Sequence, residues 1–224
     1  MAKIQILLLK AIINTVKFNL LAEWKSKFSI LSVFIYIFIS ILITFLSLPG
    51  IDKPLFASVF WIVMIFTTLQ GISKSFINMR KGHFAYWHQI VTPFQFLASK
   101  LISNAILMFI FTIFCSILFR IIHGNIIDDN FAFLITALIT GFGIASIFTI
   151  SSSIAVKTDN AGMLLPVLTF PLTVPIILIG LKASKKALDG LGFFTILPEI
   201  GLLLLLSLLI TGLGLLLIKF VWKD

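Results

Sequence analysis

Charged residues are so widely spaced along this chain that six windows of at least 19 residues contain none at all. The windows are 28–51, 54–73, 101–119, 130–156, 160–181 and 200–218. Each reaches the roughly 18 to 20 residues that a helix needs to cross the hydrocarbon core of a bilayer. Only 11% of the residues are charged and 60% are hydrophobic, which excludes a soluble globular domain, where about a quarter are charged. The sequence therefore predicts an all-α integral membrane protein with six transmembrane helices.

The predicted spans differ slightly from the windows, because neighbouring polar residues can extend a helix. We place them at about 28–48, 55–77, 97–121, 131–156, 162–181 and 199–219. Together they form one transmembrane domain, residues 28–224.

The first 27 residues have a different pattern. They are apolar but interrupted by Lys3, Lys10, Asn14 and Lys17, which fall on one narrow stripe at about 100° per residue. This spacing predicts an amphipathic helix, residues 1–27, that lies along the membrane surface with its lysines toward anionic headgroups.

Lysine and arginine counts predict the orientation. A cytoplasmic N-terminus places twelve of the seventeen basic residues on the inner side, as expected for cytoplasmic loops. Both termini are therefore predicted to be cytoplasmic. The exception is KASKKALDG, residues 182–190, which places three lysines outside. Either the fifth span fails to cross the membrane, or this loop has a task that needs basic charge outside.

Three prolines interrupt the fifth span. The stretch MLLPVLTFPLTVPIILIGL, residues 163–181, contains Pro166, Pro171 and Pro175 and no charge. Each proline removes a backbone donor and obstructs the preceding helical turn, and in lipid the freed carbonyl must find a partner within the protein or a cavity. The pattern predicts a broken or re-entrant helix.

The sequence lacks the motifs of several enzyme classes. It contains no G-x-x-x-x-G-K-[ST] phosphate loop, no HExxH, no C-x-x-C-H and no G-x-S-x-G, so it cannot by itself bind and hydrolyse a nucleoside triphosphate through such a loop. His83 and His88 are five residues apart, off the i, i+4 spacing of helical metal ligands, and His123 stands alone. We predict no catalytic, metal or directly bound cofactor site, and no enzyme activity in this chain.

The segment SKSFINMRKGHFAYWHQIVTP, residues 73–93, is the longest on the predicted inner side. One interpretation of its aromatic residues is a short cytoplasmic helix that docks on a partner protein, but composition alone favours the other interpretation. The alternative is an aromatic and basic belt at the membrane interface, where Trp, Tyr and Lys are enriched in any case.

Three stretches resemble one family. SSSIAVKTDNAGMLLPVLTFPLTVPIILIGLKASKKALDGL (151–191), LFASVFWIVMIFTTLQGISKSF (55–76) and GHFAYWHQIVTPFQFLASKL (82–101) are similar to the haem exporter protein B (CcmB) family, the membrane subunit of the cytochrome c maturation system. The version in Bacteroidota-like bacteria looks most similar, and the FPLTVP core is the most specific part.

The resemblance implies a type-2 ABC exporter permease in the bacterial inner membrane. It would couple ATP hydrolysis to haem delivery, or to release of a haem-loaded periplasmic chaperone. ATP would be bound by a separate ATPase (CcmA-like), and haem would be handled by the complex. The further implied partners are a haem-handling membrane protein (CcmC-like), a small single-span subunit (CcmD-like), the chaperone (CcmE-like) and membrane lipids, with no nucleic acid.

The resemblance also implies three sets of functional residues. The ATPase-coupling loop would contain Gly82, Phe84, Trp87 and Pro93; the broken-helix signature would contain Pro166, Phe170, Pro171, Thr173 and Pro175; and the outer basic loop would contain Lys182, Lys185, Lys186 and Asp189. Many relatives carry acidic residues where this chain has Arg80 and Lys81. The basic outer loop could meet a partner subunit, the chaperone or anionic haem propionates.

Two other functions compete with this one. The first is a non-transporting scaffold of a haem-handling complex. The second is a type-2 ABC exporter permease for a lipid, a drug or a peptide.

Overall fold

A computed structural model describes residues 2–48, 50–72, 91–158 and 160–222, and the side chains from residue 10 onward. Within these ranges the chain forms seven helices and no strand. The helices are α1 (Ala2–Lys25), α2 (Lys27–Ser47), α3 (Lys53–Gly71), α4 (Pro93–His123), α5 (Asn130–Ala155), α6 (Ala161–Leu188) and α7 (Phe193–Val221). Six of them, α2 to α7, are long and apolar enough to cross a membrane, which confirms the predicted number of spans.

The fifth helix in chain order, α5, is the centre of the bundle. It packs against α4, α6 and α7, and it is the most buried of the six long helices. Small residues permit this close packing. A Cβ added at Gly143 would lie 2.5 Å from Ser207 Oγ on α7, and one added at Gly180 of α6 would lie 2.6 Å from Thr140 Cγ2. The small residues of α5 therefore serve helix packing.

The N-terminal helix α1 is present as predicted. Lys10, Asn14 and Lys17 are exposed along one side, whereas Thr15 and Asn19 on the opposite side are buried. That buried side faces α4 and α2. One face of α1 is therefore exposed, and the sequence did not reveal that polar residues on the other face would be buried against the bundle.

Helix α4 begins earlier than the predicted span. Thr92 caps it: the Thr92 hydroxyl accepts a hydrogen bond from the Gln95 N–H, and Gln95 Oε1 accepts one from the Thr92 N–H. This capping box satisfies two donors that would otherwise lack partners. Pro93 occupies the first turn, where its missing N–H costs nothing. Pro93, which we predicted to lie in the coupling loop, is thus the first residue of a helix.

Helix α6 is continuous through its three prolines, so the predicted break is wrong. Pro171 and Pro175 lie on the exposed side and Pro166 is half-buried, so the rings do not obstruct packing against α5. The buried hydroxyl of Thr169 donates to the Leu165 carbonyl, at 2.9 Å, and Thr173 donates to Phe170. With 28 residues, α6 is about 42 Å long at 1.5 Å per residue, enough to cross a bilayer.

The lysines after the fifth span also lie in this helix rather than in a loop. Helix α6 ends at Leu188, beyond Lys182, Lys185 and Lys186, because KASKKAL consists of residues that tolerate or favour helix. Lysines near a helix C-terminus also interact favourably with the helix dipole. The buried Ser184 accepts a hydrogen bond from the Trp61 indole at 3.1 Å, which fixes this part of α6 against α3. The chain turns at Gly190, which has φ +66°.

Candidate functional site at the two ends of the bundle

Three connections meet at the end of the bundle that the predicted orientation places outside. Lys53 begins α3, Asp128 precedes α5 and Asp189 follows α6. Lys53 Nζ lies 2.7 Å from Asp128 Oδ2 and 3.8 Å from Asp189 Oδ1. The Asp129 N–H also donates to the Ala187 carbonyl at 3.1 Å. We call Lys53, Asp128 and Asp189 the outer clasp, because they join all three connections at this end.

A second ionic group joins α6 to α7. Glu199 Oε1 accepts a hydrogen bond from Lys186 Nζ at 2.8 Å and pairs with Lys182 Nζ at 3.1 Å. Lys186 Nζ also donates to the Thr195 carbonyl. The Glu199 side chain is 6% exposed, and its Oε2 has no partner among the described residues. We call Glu199, Lys182 and Lys186 the hairpin triad.

The predicted outer basic loop is therefore not a free basic surface. Its lysines 182 and 186 pair with Glu199, and Asp189 lies near Lys53. Only Lys185 is exposed without an ion pair to any described residue. The residues that the predicted orientation places at this end are five basic (Lys53, Arg120, Lys182, Lys185, Lys186) and five acidic (Asp52, Asp128, Asp129, Asp189, Glu199). These formal charges sum to zero, so the predicted orientation assigns the whole formal charge of +9 to the inner side.

Sequence reasoning missed Glu199, although a signal was present. In two antiparallel helices joined by a short turn, residues about equally far from the turn lie at the same depth. Glu199 follows the turn at Gly190 by about as many residues as Lys182 precedes it. A single acid near the start of an apolar helix, opposite lysines at the same depth, predicts an ion pair, because buried charges in membrane helices are paired.

The inner end has a different chemistry. A second apolar core, separate from the main one, lies between the start of α4 and the end of α7. Its buried residues are Val91, Phe96, Leu97, Leu101, Ile218 and Trp222. The Trp222 indole N–H donates to the Ser153 carbonyl at the end of α5, at 3.3 Å. We call this cluster the inner clasp. Beside it lies an open groove of about 450 Å³ lined by Thr92, Pro93, Phe94 and Lys219.

The other predicted residues are distributed as follows. Gly82, Phe84 and Trp87 of the coupling loop, together with His83 and His88, lie outside the described residues, and Pro93 lines the inner groove. The signature residues lie within residues 166–175 of α6, where Thr173 is buried and Phe170 is 45% exposed.

The remaining histidine is surrounded by aromatic rings. His123 stacks on Phe119, with ring centroids 5.5 Å apart, and meets Phe45 edge-on at 5.6 Å. Across residues 2–48, 50–72, 91–158 and 160–222, no three His, Cys, Asp or Glu side chains are grouped so that they could hold a metal ion. This environment is that of a packing residue at the end of a helix.

The described residues place two ion-paired groups at the outer end and a cluster of buried apolar side chains at the inner end. Buried polar side chains also occur between the two ends, such as Asn104 of α4, whose amide donates a hydrogen bond to Thr149 of α5 at 2.9 Å. The two ends therefore differ in the kind of contact that joins their helices.

Comparison with known proteins supports the resemblance of the three stretches. No curated protein is similar enough to this chain to count as a match. The family described as CcmB protein matches residues 10–217, which include all of α2 to α6 and nearly all of α7. With more than nine-tenths of its length matched and six helices that can span a membrane, this multi-pass membrane protein belongs to the CcmB family.

Proposed function

We propose that this protein couples ATP hydrolysis by a separate ATPase subunit to haem delivery or to release of a haem-loaded periplasmic chaperone. The CcmB family comprises the membrane component of a haem-exporting ABC transporter for cytochrome c maturation, which acts with an ABC ATPase. The observation that carries the proposal is the family match over residues 10–217. A family match of this extent favours cytochrome c maturation over export of a lipid, drug or peptide.

The proposed ATPase contact is the inner end. Its formal charge of +9 favours a partner surface with exposed carboxylates. The groove beside Pro93 combines an exposed aromatic residue, Phe94, with Lys219, and the segment that we predict to form the coupling loop, 82–93, ends there. We further propose that Gly82, Phe84 and Trp87 complete this contact, in a protein of the bacterial inner membrane.

At the outer end, fewer lysines are available to bind a partner than the sequence predicted. Because Lys182 and Lys186 already pair with Glu199, Lys185 is the lysine of this set with its charge left for a partner. We therefore propose that the chaperone, the haem-handling subunit or the single-span subunit is recognised at the outer end mainly by shape and only weakly by charge.

Deletion of this protein in the parent bacterium tests the proposal. We expect c-type cytochromes to disappear and the haem-loaded chaperone to accumulate, as in a strain whose ATPase cannot hydrolyse ATP. Restoring the wild-type gene should reverse both effects. Normal c-type cytochromes in the deletion strain would refute the proposed function.

One variant separates a coupled permease from a scaffold. Trp87→Ala should still co-purify with the ATPase but lose ATP-dependent release of the chaperone. A pure scaffold would release the chaperone normally whenever assembly is intact.

A further inference from the structure

The inner clasp is separate from the main core of the protein. The main core extends through α2, α3, α4, α5, α6 and α7, whereas the clasp contains only the start of α4 and the end of α7. Its largest member, Trp222, lies just after α7 and is only 5% exposed. By contrast Phe220, two residues earlier, is 73% exposed. The chain therefore buries one aromatic side chain at its C-terminal end and leaves its neighbour outside.

Trp222 joins three helices. It follows α7 directly, its ring centroid lies 5.3 Å from that of Phe96, the fourth residue of α4, and its indole N–H donates to the Ser153 carbonyl of α5. The last carbonyls of a helix have no partner within the helix, so the indole supplies a donor that the end of α5 needs. A buried indole N–H in turn needs an acceptor. The Trp222 indole and the Ser153 carbonyl therefore each need the other as a hydrogen-bond partner.

The clasp includes the end of the predicted coupling loop, residues 82–93. Val91 belongs to the clasp, and Thr92 is fixed to the first turn of α4 by the capping box. A displacement of Val91 and Thr92 would therefore move the start of α4 as a unit, and with it Phe96. Because Phe96 lies against Trp222, and Trp222 bonds α5, the displacement reaches the central helix of the bundle through contiguous contacts.

We propose that Trp222 is a positioning residue that transmits movement of the ATPase-coupling loop to α5. This inference rests on the proposed function, because it needs an ATPase that acts on the loop. Trp222 itself contacts neither nucleotide nor haem in this scheme. Its role is to keep the start of α4 and the end of α5 in one rigid unit.

Three variants test the role of Trp222. Trp222→Ala removes the ring and the donor, Trp222→Phe keeps an aromatic ring but removes the N–H, and Phe220→Ala removes an exposed aromatic side chain as the matched control. For each we would measure co-purification with the ATPase, ATP hydrolysis by the purified complex, and c-type cytochrome formed in cells.

We expect Trp222→Ala to assemble and hydrolyse ATP normally while its cytochrome yield falls at least about fivefold, the lower end of typical coupling between sites. Trp222→Phe should lie between this variant and the wild type, and Phe220→Ala should match the wild type. The inference is overturned if Trp222→Ala gives the same cytochrome yield as Phe220→Ala. It is also overturned if assembly and cytochrome yield of Trp222→Ala fall in parallel while Trp222→Phe is normal in both.

If Trp222→Ala does not accumulate in cells, Trp222→Phe is the deciding variant. A reduced cytochrome yield of Trp222→Phe with normal assembly supports the inference, and a normal cytochrome yield overturns it.

The same experiment separates this inference from the proposed function. A wild-type complex without an associated ATPase would overturn the proposed function, and the inference with it. A wild-type complex that works, with both Trp222 variants working equally well, would overturn the inference alone.

Discussion

The two ends of the bundle join their helices by different forces. At the outer end, the clasp consists of Lys53, Asp128 and Asp189, whose side chains are 37%, 54% and 56% exposed. At the inner end, the clasp consists of buried apolar side chains and one indole hydrogen bond. Exposed ion pairs contribute little and are screened by salt, whereas buried contacts are insensitive to salt. Added salt should therefore weaken the outer clasp more than the inner clasp.

The hairpin triad is the exception to this contrast. Although it lies at the outer end, Glu199 is only 6% exposed in its side chain. Removing the partners of a buried carboxylate leaves an uncompensated charge, which costs more than the pair contributed. The outer end therefore combines a weak clasp with one strong connection between α6 and α7.

The largest effect is expected when the hairpin triad loses both lysines. The double variant Lys182→Met, Lys186→Met should lower the free energy of unfolding by about 3 kcal/mol, because it leaves a buried carboxylate unpaired. Equilibrium unfolding in mixed detergent micelles measures this value. The matched control is Lys185→Met, at an exposed lysine without an ion pair to a described residue, which should stay within about 0.5 kcal/mol of the wild type. Equal stability of the two variants would show that Glu199 is not held by these lysines.

A smaller effect is expected at the inner clasp. Trp222→Phe should lower the free energy of unfolding by about 1 kcal/mol, the typical net contribution of one hydrogen bond. The same unfolding assay, with Phe220→Leu as the control, detects this difference. The loss should be the same at low and at high salt, and a loss that shrinks with added salt would contradict the apolar character of the clasp.

The smallest effect is expected at the outer clasp. Lys53→Met should lower the thermal midpoint slightly at low ionic strength and leave it unchanged at about 1 M salt, where the Debye length is only about 3 Å. Parallel thermal scans of Trp222→Phe give the comparison. If Lys53→Met still lowered the thermal midpoint at high salt, the outer clasp would not be more sensitive to salt than the inner clasp.

Much of the fold could be predicted because it follows from local properties of the chain. The uncharged windows indicated six spanning helices, and the lysine stripe indicated α1. The resemblance of three stretches was confirmed by the family match over residues 10–217. Two local predictions were nevertheless wrong. Helix α6 is unbroken at its prolines, and the lysines that follow belong to it, because exposed rings and helix-favouring residues allow the helix to continue.

The pairing of the charges could not be predicted in the same way. Lys53 meets Asp128, which is 75 residues away, and Trp222 meets Ser153 across 69 residues. Such contacts depend on which helices are neighbours, and hydropathy does not specify the order of helices around a bundle. The pairing of Glu199 with Lys182 and Lys186 could have been predicted, because the three residues lie at about the same depth in a helical hairpin.

By itself the sequence determined that this is a membrane protein, that six of its segments are long and apolar enough to cross a bilayer, and that those segments contain long windows without charge. The physical reason is the cost of placing charge in hydrocarbon, which acts on each segment separately. Only the tertiary structure decided that α5 is central, that Lys53, Lys182 and Lys186 pair with acids from other segments, and that Trp222 joins α4, α5 and α7. Those features depend on close packing between helices. Small residues such as Gly143 and Gly180 permit this packing, but they do not specify which helices become neighbours.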